Sequence, residues 1–365
     1  MNPGHAPVEA PSAAADEAQA PPHRRPRIPP SEWSAWDDER LLDLRLCDLD
    51  LRIEGSGLED RIAELYSELE GRGVGFRPHF WLSDEWFCPD GVPGIAIPFY
   101  LAHPRLARLE MSQMLEVEGG TYEWCMRILR HETGHAIENA YLLRARRRRQ
   151  ALFGKSSQPY PDYYAPKPYS RSFVVHLDAW YAQSHPDEDF AETFAVWLNP
   201  ASDWRRRYAG WPALRKLEYV ERALRGIATA PPRVRGRRTP AALASLKKTL
   251  RRHYQRRRQH YGVEHPDSYD RYLRRVFSDA PEHAGNSTAA AFLSRIRRDV
   301  RRRVRRWTGE RPYVVDQAVE AMIARSRELG LRLAGPEEEA RLEFTTLLAV
   351  QAMTRLHRSR QRVPL

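Results

Sequence analysis

No stretch of the chain narrows its folding options more than His131-Glu132-Thr133-Gly134-His135. Two imidazoles four residues apart lie on one face of a helix, a turn from each other. From there both reach a single zinc ion at ~2.0 Å. Glu132 flanks the same metal and is placed to act as general base toward a metal-activated water, whose pKa zinc lowers to ~7. The surrounding pattern agrees with a helix. Ile128, Ala136, Ile137 and Ala140 supply apolar positions, Thr121 is an N-cap at its start, and Arg146 to Arg149 suit the negative end of its dipole. Gly134 costs about 1 kcal/mol against Ala inside a helix. That predicts a close backbone approach there, to the metal or to a crossing strand.

A catalytic zinc takes three protein ligands and keeps one position for water. The metzincin arrangement, with Gly three and His six residues after the second His, fails, because Glu138 and Tyr141 stand there. The gluzincin arrangement, a Glu on a second helix with an acidic residue four later, is met by Asp187-Glu188-Asp189-Phe190-Ala191-Glu192. Glu188 is then the ligand. Glu192, one turn on, accepts the spare N–H of a zinc-bound histidine, and is the competing choice for ligand. Ser184-His185-Pro186 starts that helix, with Pro in its first turn. Tyr181 is the first candidate to donate to a tetrahedral oxyanion, with His185 and His176 as alternatives. An extended peptide also needs a backbone to pair with. Gly94, Ile95, Ala96 and Ile97, in an apolar run broken by Pro93 and Pro98, predict an edge strand near 94–99 that offers free backbone groups to substrate.

The pairing of Arg130-His131-Glu132-Thr133-Gly134-His135 with His185-Pro186-Asp187-Glu188-Asp189-Phe190-Ala191-Glu192-Thr193-Phe194 resembles bacterial zinc-binding metallopeptidases of the gluzincin group, across roughly residues 91–200. The resemblance implies a zincin-like catalytic core that holds one zinc ion, with Glu188 as ligand and Glu192 behind the histidines. Two features differ. Many gluzincins carry Asp at the position of Glu192, and the N-terminal zinc-ribbon cysteines of some relatives are missing, which argues against a second metal.

The fold class expected is α+β and mainly helical: a zincin-like core with a small sheet and an active-site helix, followed by a basic helical C-terminal part. Residues 1–30 are rich in Pro and Ala without apolar periodicity and read as a disordered tail. Residues 31–235 form the expected peptidase domain, and 236–365 an Arg-rich helical region. The formal net charge is +11, yet only five of the 59 basic residues are lysine. Arginine clusters at 251–258 and 295–306 give two further readings: an acidic partner such as nucleic acid docks on these helices, or they are solvated faces. In the second cluster Ile296, Val300, Val304 and Trp307 recur at helical spacing. A non-catalytic, zinc-stabilised interaction protein is the other alternative to a hydrolase acting on a peptide or protein. Cys47, Cys88 and Cys125 are too sparse for a disulfide framework and fit a reducing compartment. The N-terminus shows no signal-peptide pattern and no window has the apolar length of a membrane span, so a cytoplasmic location is expected.

Overall fold

A computed structural model describes residues 27–161, 163–164, 166–261, 269–358 and 363–364. Most of the Pro/Ala-rich stretch expected as a tail lies outside them; Ile28 already pairs by its backbone with Asp48 and Asp50. The described chain is mainly helical, with three two-stranded sheets.

The longer helices and the one sizeable strand pair follow in chain order. Helix α1 (Gly57–Gly71) is capped by Ser56 and buries Leu58, Ile62, Leu65 and Leu69 at helical spacing. In the preceding stretch Leu42, Leu44, Leu46, Leu49 and Leu51 alternate with charge at a period ambiguous between strand and helix; it folds as a short helix at Asp38–Leu42 and a single 3-10 turn at Leu46–Asp48. Its leucines point inward from an irregular backbone, which explains the lack of a clean period. Strands β1 (His79–Ser83) and β2 (Gly94–Pro98) pair in parallel, from His79 opposite Gly94 to Ser83 opposite Pro98. Helix α2 (Pro104–Met114) leads to α3 (Tyr122–Tyr141), where Thr121 Oγ1 accepts from the backbone N–H of Trp124 at 3.2 Å. Helix α3 stops earlier than its sequence pattern suggested. Leu142 takes a left-handed conformation at φ 53°, and Arg147–Arg149 begin α4 (Arg147–Phe153) instead of ending α3.

Helix α5 (Pro186–Leu198) is buried along nearly its whole length and packs across α3. Helix α6 (Leu214–Arg225) lies against it. Beyond a long loop come α7 (Leu250–Tyr261), α8 (Asp270–Val276), α9 (Ala289–Thr308), α10 (Pro312–Glu328) and α11 (Glu337–Arg358). One apolar core runs from Trp33 to Tyr254 and takes in Leu243, Leu250 and Tyr254 from the Arg-rich region. A second, from Tyr269 to Leu348, is built by α8 to α11. Ile296, Val300 and Val304 form the buried stripe of α9, while Trp307 falls outside it and is exposed.

Six of the eight arginines of α9 face carboxylates. Arg297 and Arg301 meet Asp316, Arg302 and Arg303 meet Asp299, Arg295 meets Glu337, and Arg305 meets Glu116. In α7, Arg251 pairs with Asp43 at 2.9 Å and Arg257 with Glu110 at 2.5 Å. No helix among the described residues is long and apolar enough to cross a membrane.

Candidate metal centre

Helices α3 and α5 cross at Gly134. A Cβ placed there would sit 2.7 Å from Ala191 Cα and 3.2 Å from its carbonyl oxygen. The close approach expected from this glycine is thus to a second helix, not to a strand. It brings the acidic face of α5 against the two histidines of α3. His131 Nε2 lies 2.9 Å from Glu188 Oε2, His135 Nε2 lies 3.2 Å from the same oxygen, and the two Nε2 atoms are 3.2 Å apart. A tetrahedral ion with bonds of ~2.0–2.1 Å spaces its ligand atoms by about 3.3 Å. The three side chains, all buried, come within about 0.4 Å of that spacing and suit one small divalent cation.

Glu192 sits one turn further along α5 and on the far side of the ring. Its Oε1 accepts from His131 Nδ1 at 2.8 Å, and its Oε2 accepts from the backbone N–H of Leu177, also at 2.8 Å. Both oxygens are occupied away from the Nε2 atoms, so of the two candidate carboxylates it is Glu188 that faces the cation position. Fixing Nδ1 in this way turns Nε2 toward that position and raises its basicity.

The electrostatics follow from burial opposed by pairing. Burial disfavours charge on His131 and His135, but the Glu188 and Glu192 carboxylates outweigh it for His131, whose pKa stands well above the usual value. His135 is raised as well, chiefly by Glu188 against its own burial. Burial works against the charged form of Glu188 too, yet His135 and His131 hold it well below the usual carboxylate range. Glu192 is lowered for the same reason, with His131 the main partner. Glu132 goes the other way. Burial pushes it up and the neighbouring histidines only partly offset this, the direction that suits a base working near neutrality.

The three candidate oxyanion donors separate clearly. His176 Nε2 donates to the backbone oxygen of Arg127 at 2.9 Å. His185 caps α5, its Nδ1 accepting from Asp187 N–H at 3.2 Å and its Nε2 donating to Gln158 O at 2.9 Å. Both Nε2 atoms are taken, as is the Nδ1 of His185. Tyr181 remains, its ring centroid 5.6 Å from that of His131 and 6.4 Å from Tyr164. Tyr160, in a Pro- and Tyr-rich loop where no motif or spacing marks it, donates its hydroxyl to Glu188 Oε1 at 2.9 Å.

Gly94, Ile95, Ala96 and Ile97 do not offer the open edge expected of them. All four are buried, β1 covers one edge, and on the other the Ala96 N–H donates to Phe87 O at 2.9 Å.

A buried ion network braces the crossing. Arg149, wholly inaccessible, donates to Glu138 of α3 at 2.8 Å and to Asp187 of α5 at 2.6 Å. Asp189 pairs with Lys216 of α6 at 2.6 Å.

Residues 118–205 match the model of a family described as "Putative zinc-binding metallo-peptidase". The matched segment contains α3, α5 and the loop between them, and so the whole cation-facing set together with Glu132, Glu192, Tyr160 and Tyr181. Strands β1 and β2 and the helices from α6 onward lie outside it. No curated protein and no solved structure matches the chain.

Proposed function

We propose that this chain is a zinc-dependent peptidase of zincin-like core and gluzincin type, with His131, His135 and Glu188 as the metal ligands. The observation that carries the reading is the convergence of both Nε2 atoms on Glu188 Oε2 while Glu192 takes the Nδ1 of His131, within a segment that matches a zinc-binding metallopeptidase family. Zinc held by His131, His135 and Glu188 would supply Lewis acidity and lower the pKa of water to ~7. Glu132, its pKa raised by burial, takes the proton of the attacking water and returns it to the leaving amine. Tyr181 stands against the His131 ring, and its hydroxyl donates to the oxyanion as the carbonyl becomes tetrahedral. Glu192 keeps the His131 imidazole in one orientation throughout.

The test uses the full chain loaded with zinc and a peptide mixture read by mass spectrometry. Glu132→Gln retains one zinc per chain and loses at least ~100-fold in hydrolysis, the lower end of a general base's contribution. Hydrolysis undiminished in Glu132→Gln, or wild type that holds no zinc, overturns the proposal.

A further inference from the structure

We infer that Tyr160 is a positioning residue for the metal centre, holding Glu188 to a single cation-facing oxygen. The inference rests on the zinc reading above and concerns how one ligand is presented. Glu188 divides its two oxygens between different neighbours. Oε2 lies 2.9 Å and 3.2 Å from the two histidine Nε2 atoms, whereas Oε1 accepts the Tyr160 hydroxyl at 2.9 Å. A carboxylate whose second oxygen is free can rotate to offer both to a metal. Here a hydrogen bond occupies that oxygen and resists the rotation.

The hydroxyl comes from neither ligand-bearing helix but from the loop after α4, and that loop is strapped to the first turn of α5. The Tyr160 ring stacks on His185, with centroids 3.7 Å apart and planes 19° from parallel. His185 cannot turn beneath it, because Asp187 N–H donates to its Nδ1 and its Nε2 donates to Gln158 O. Ser156 donates to Asp187, and the Gly154 carbonyl accepts from buried Arg149 at 2.8 Å. Gly154 itself takes φ +102°, and its Cβ position lies 3.0 Å from Pro186 Cγ, so the strap starts tight against α5. These anchors lead to residues 185–187, directly before the ligand, the Gly154 one by way of Arg149, which also donates to Pro186 O and Asp187 Oδ1. The phenol is therefore aimed by the segment that starts the ligand helix, while its outer side stays in solvent at 51% exposure. Partners that orient a metal-bound group contribute ~10–100-fold to affinity.

Wild type, Tyr160→Phe and Tyr160→Ala are compared as full chains. Zinc affinity is read by competition with a chromophoric chelator, ligand geometry by the visible spectrum of the cobalt(II)-substituted proteins, and stability by thermal unfolding of the chelator-treated proteins. Tyr160→Phe keeps the stack and loses the hydroxyl. It is expected to bind zinc ~10-fold or more weakly, with an altered cobalt spectrum and unchanged unfolding of the metal-free form. If Tyr160→Phe matches wild type in affinity and spectrum while Tyr160→Ala does not, the tyrosine only packs the loop and the inference is overturned. Wild type that takes up no zinc overturns the zinc reading instead, and this inference with it.

Discussion

Gly134→Ala separates two physical effects of opposite sign. Within an isolated helix the change is favourable by about 1 kcal/mol, because alanine loses less backbone entropy on folding and is the better helix former. Tertiary packing opposes it. The new methyl would lie 2.7 Å from Ala191 Cα and 3.2 Å from the Ala191 Cβ and O, against an optimal carbon–carbon separation of about 3.5–4.0 Å. The nearest atom is backbone, so no rotamer change relieves the clash, and α3 and α5 must part by about 1 Å. Overpacking of this kind costs about 1–3 kcal/mol. With backbone as the obstacle the upper part of that range applies, and subtracting the helix gain leaves a net loss of about 1–2 kcal/mol. The same displacement moves Glu188 and Glu192 away from His131 and His135, while metal–ligand distances tolerate only ~0.2 Å. Urea unfolding in excess chelator reports the first effect and chelator competition the second. Metal-free Gly134→Ala unfolds at lower urea than wild type, and its zinc affinity falls by more than tenfold (about 1.4 kcal/mol). A variant as stable as wild type with full zinc affinity would refute the packing argument, since only the intrinsic helix preference would then be at work.

Other perturbations probe the same crossing. Glu192→Ala removes the acceptor of His131 Nδ1; zinc affinity measured by chelator competition is expected to fall ~10–100-fold with all three proposed ligands intact. Arg149→Met removes the nearer of two cations that Glu138 and Asp187 share, leaving Arg144 at 3.4 Å and 3.2 Å, a change expected to cost up to about 3 kcal/mol in denaturant unfolding. For pH, the sign differs between metal-free and zinc-loaded protein. His131 and His135 have folded-state pKa values raised above the ordinary value. Their stabilisation of the metal-free fold is therefore complete below about pH 6.5 and is lost as pH rises through the raised values. Zinc competes with those protons, so its stabilisation grows over the same window. Unfolding midpoints measured from pH 6 to 9 should fall with pH in chelator and rise in zinc; parallel curves would contradict the assignment of the two histidines.

Part of this site was legible before any fold. That His131 and His135 share a face follows from the pitch of a helix, as does the one-turn offset of Glu192 from Glu188. Thr121 at the start of α3 and Pro186 at the start of α5 were readable for the same reason, because caps and first turns are set by neighbours in the chain. Even the need for a close approach at Gly134 could be inferred from its local cost. What approaches could not, since Ala191 is brought there by the docking of a helix more than fifty residues away. Tertiary packing also decided which glutamate faces Nε2 and which faces Nδ1, and closed β2, whose prolines suggested an open edge, between β1 and Phe87. It drew His176 and His185 into backbone hydrogen bonds and set Tyr160 on Glu188. The sequence by itself settled the chemistry on offer and its spacing along two helices, because those depend on local geometry. The crossing of the helices and the partners of loop residues were left to the fold, because they depend on which distant surfaces pack together.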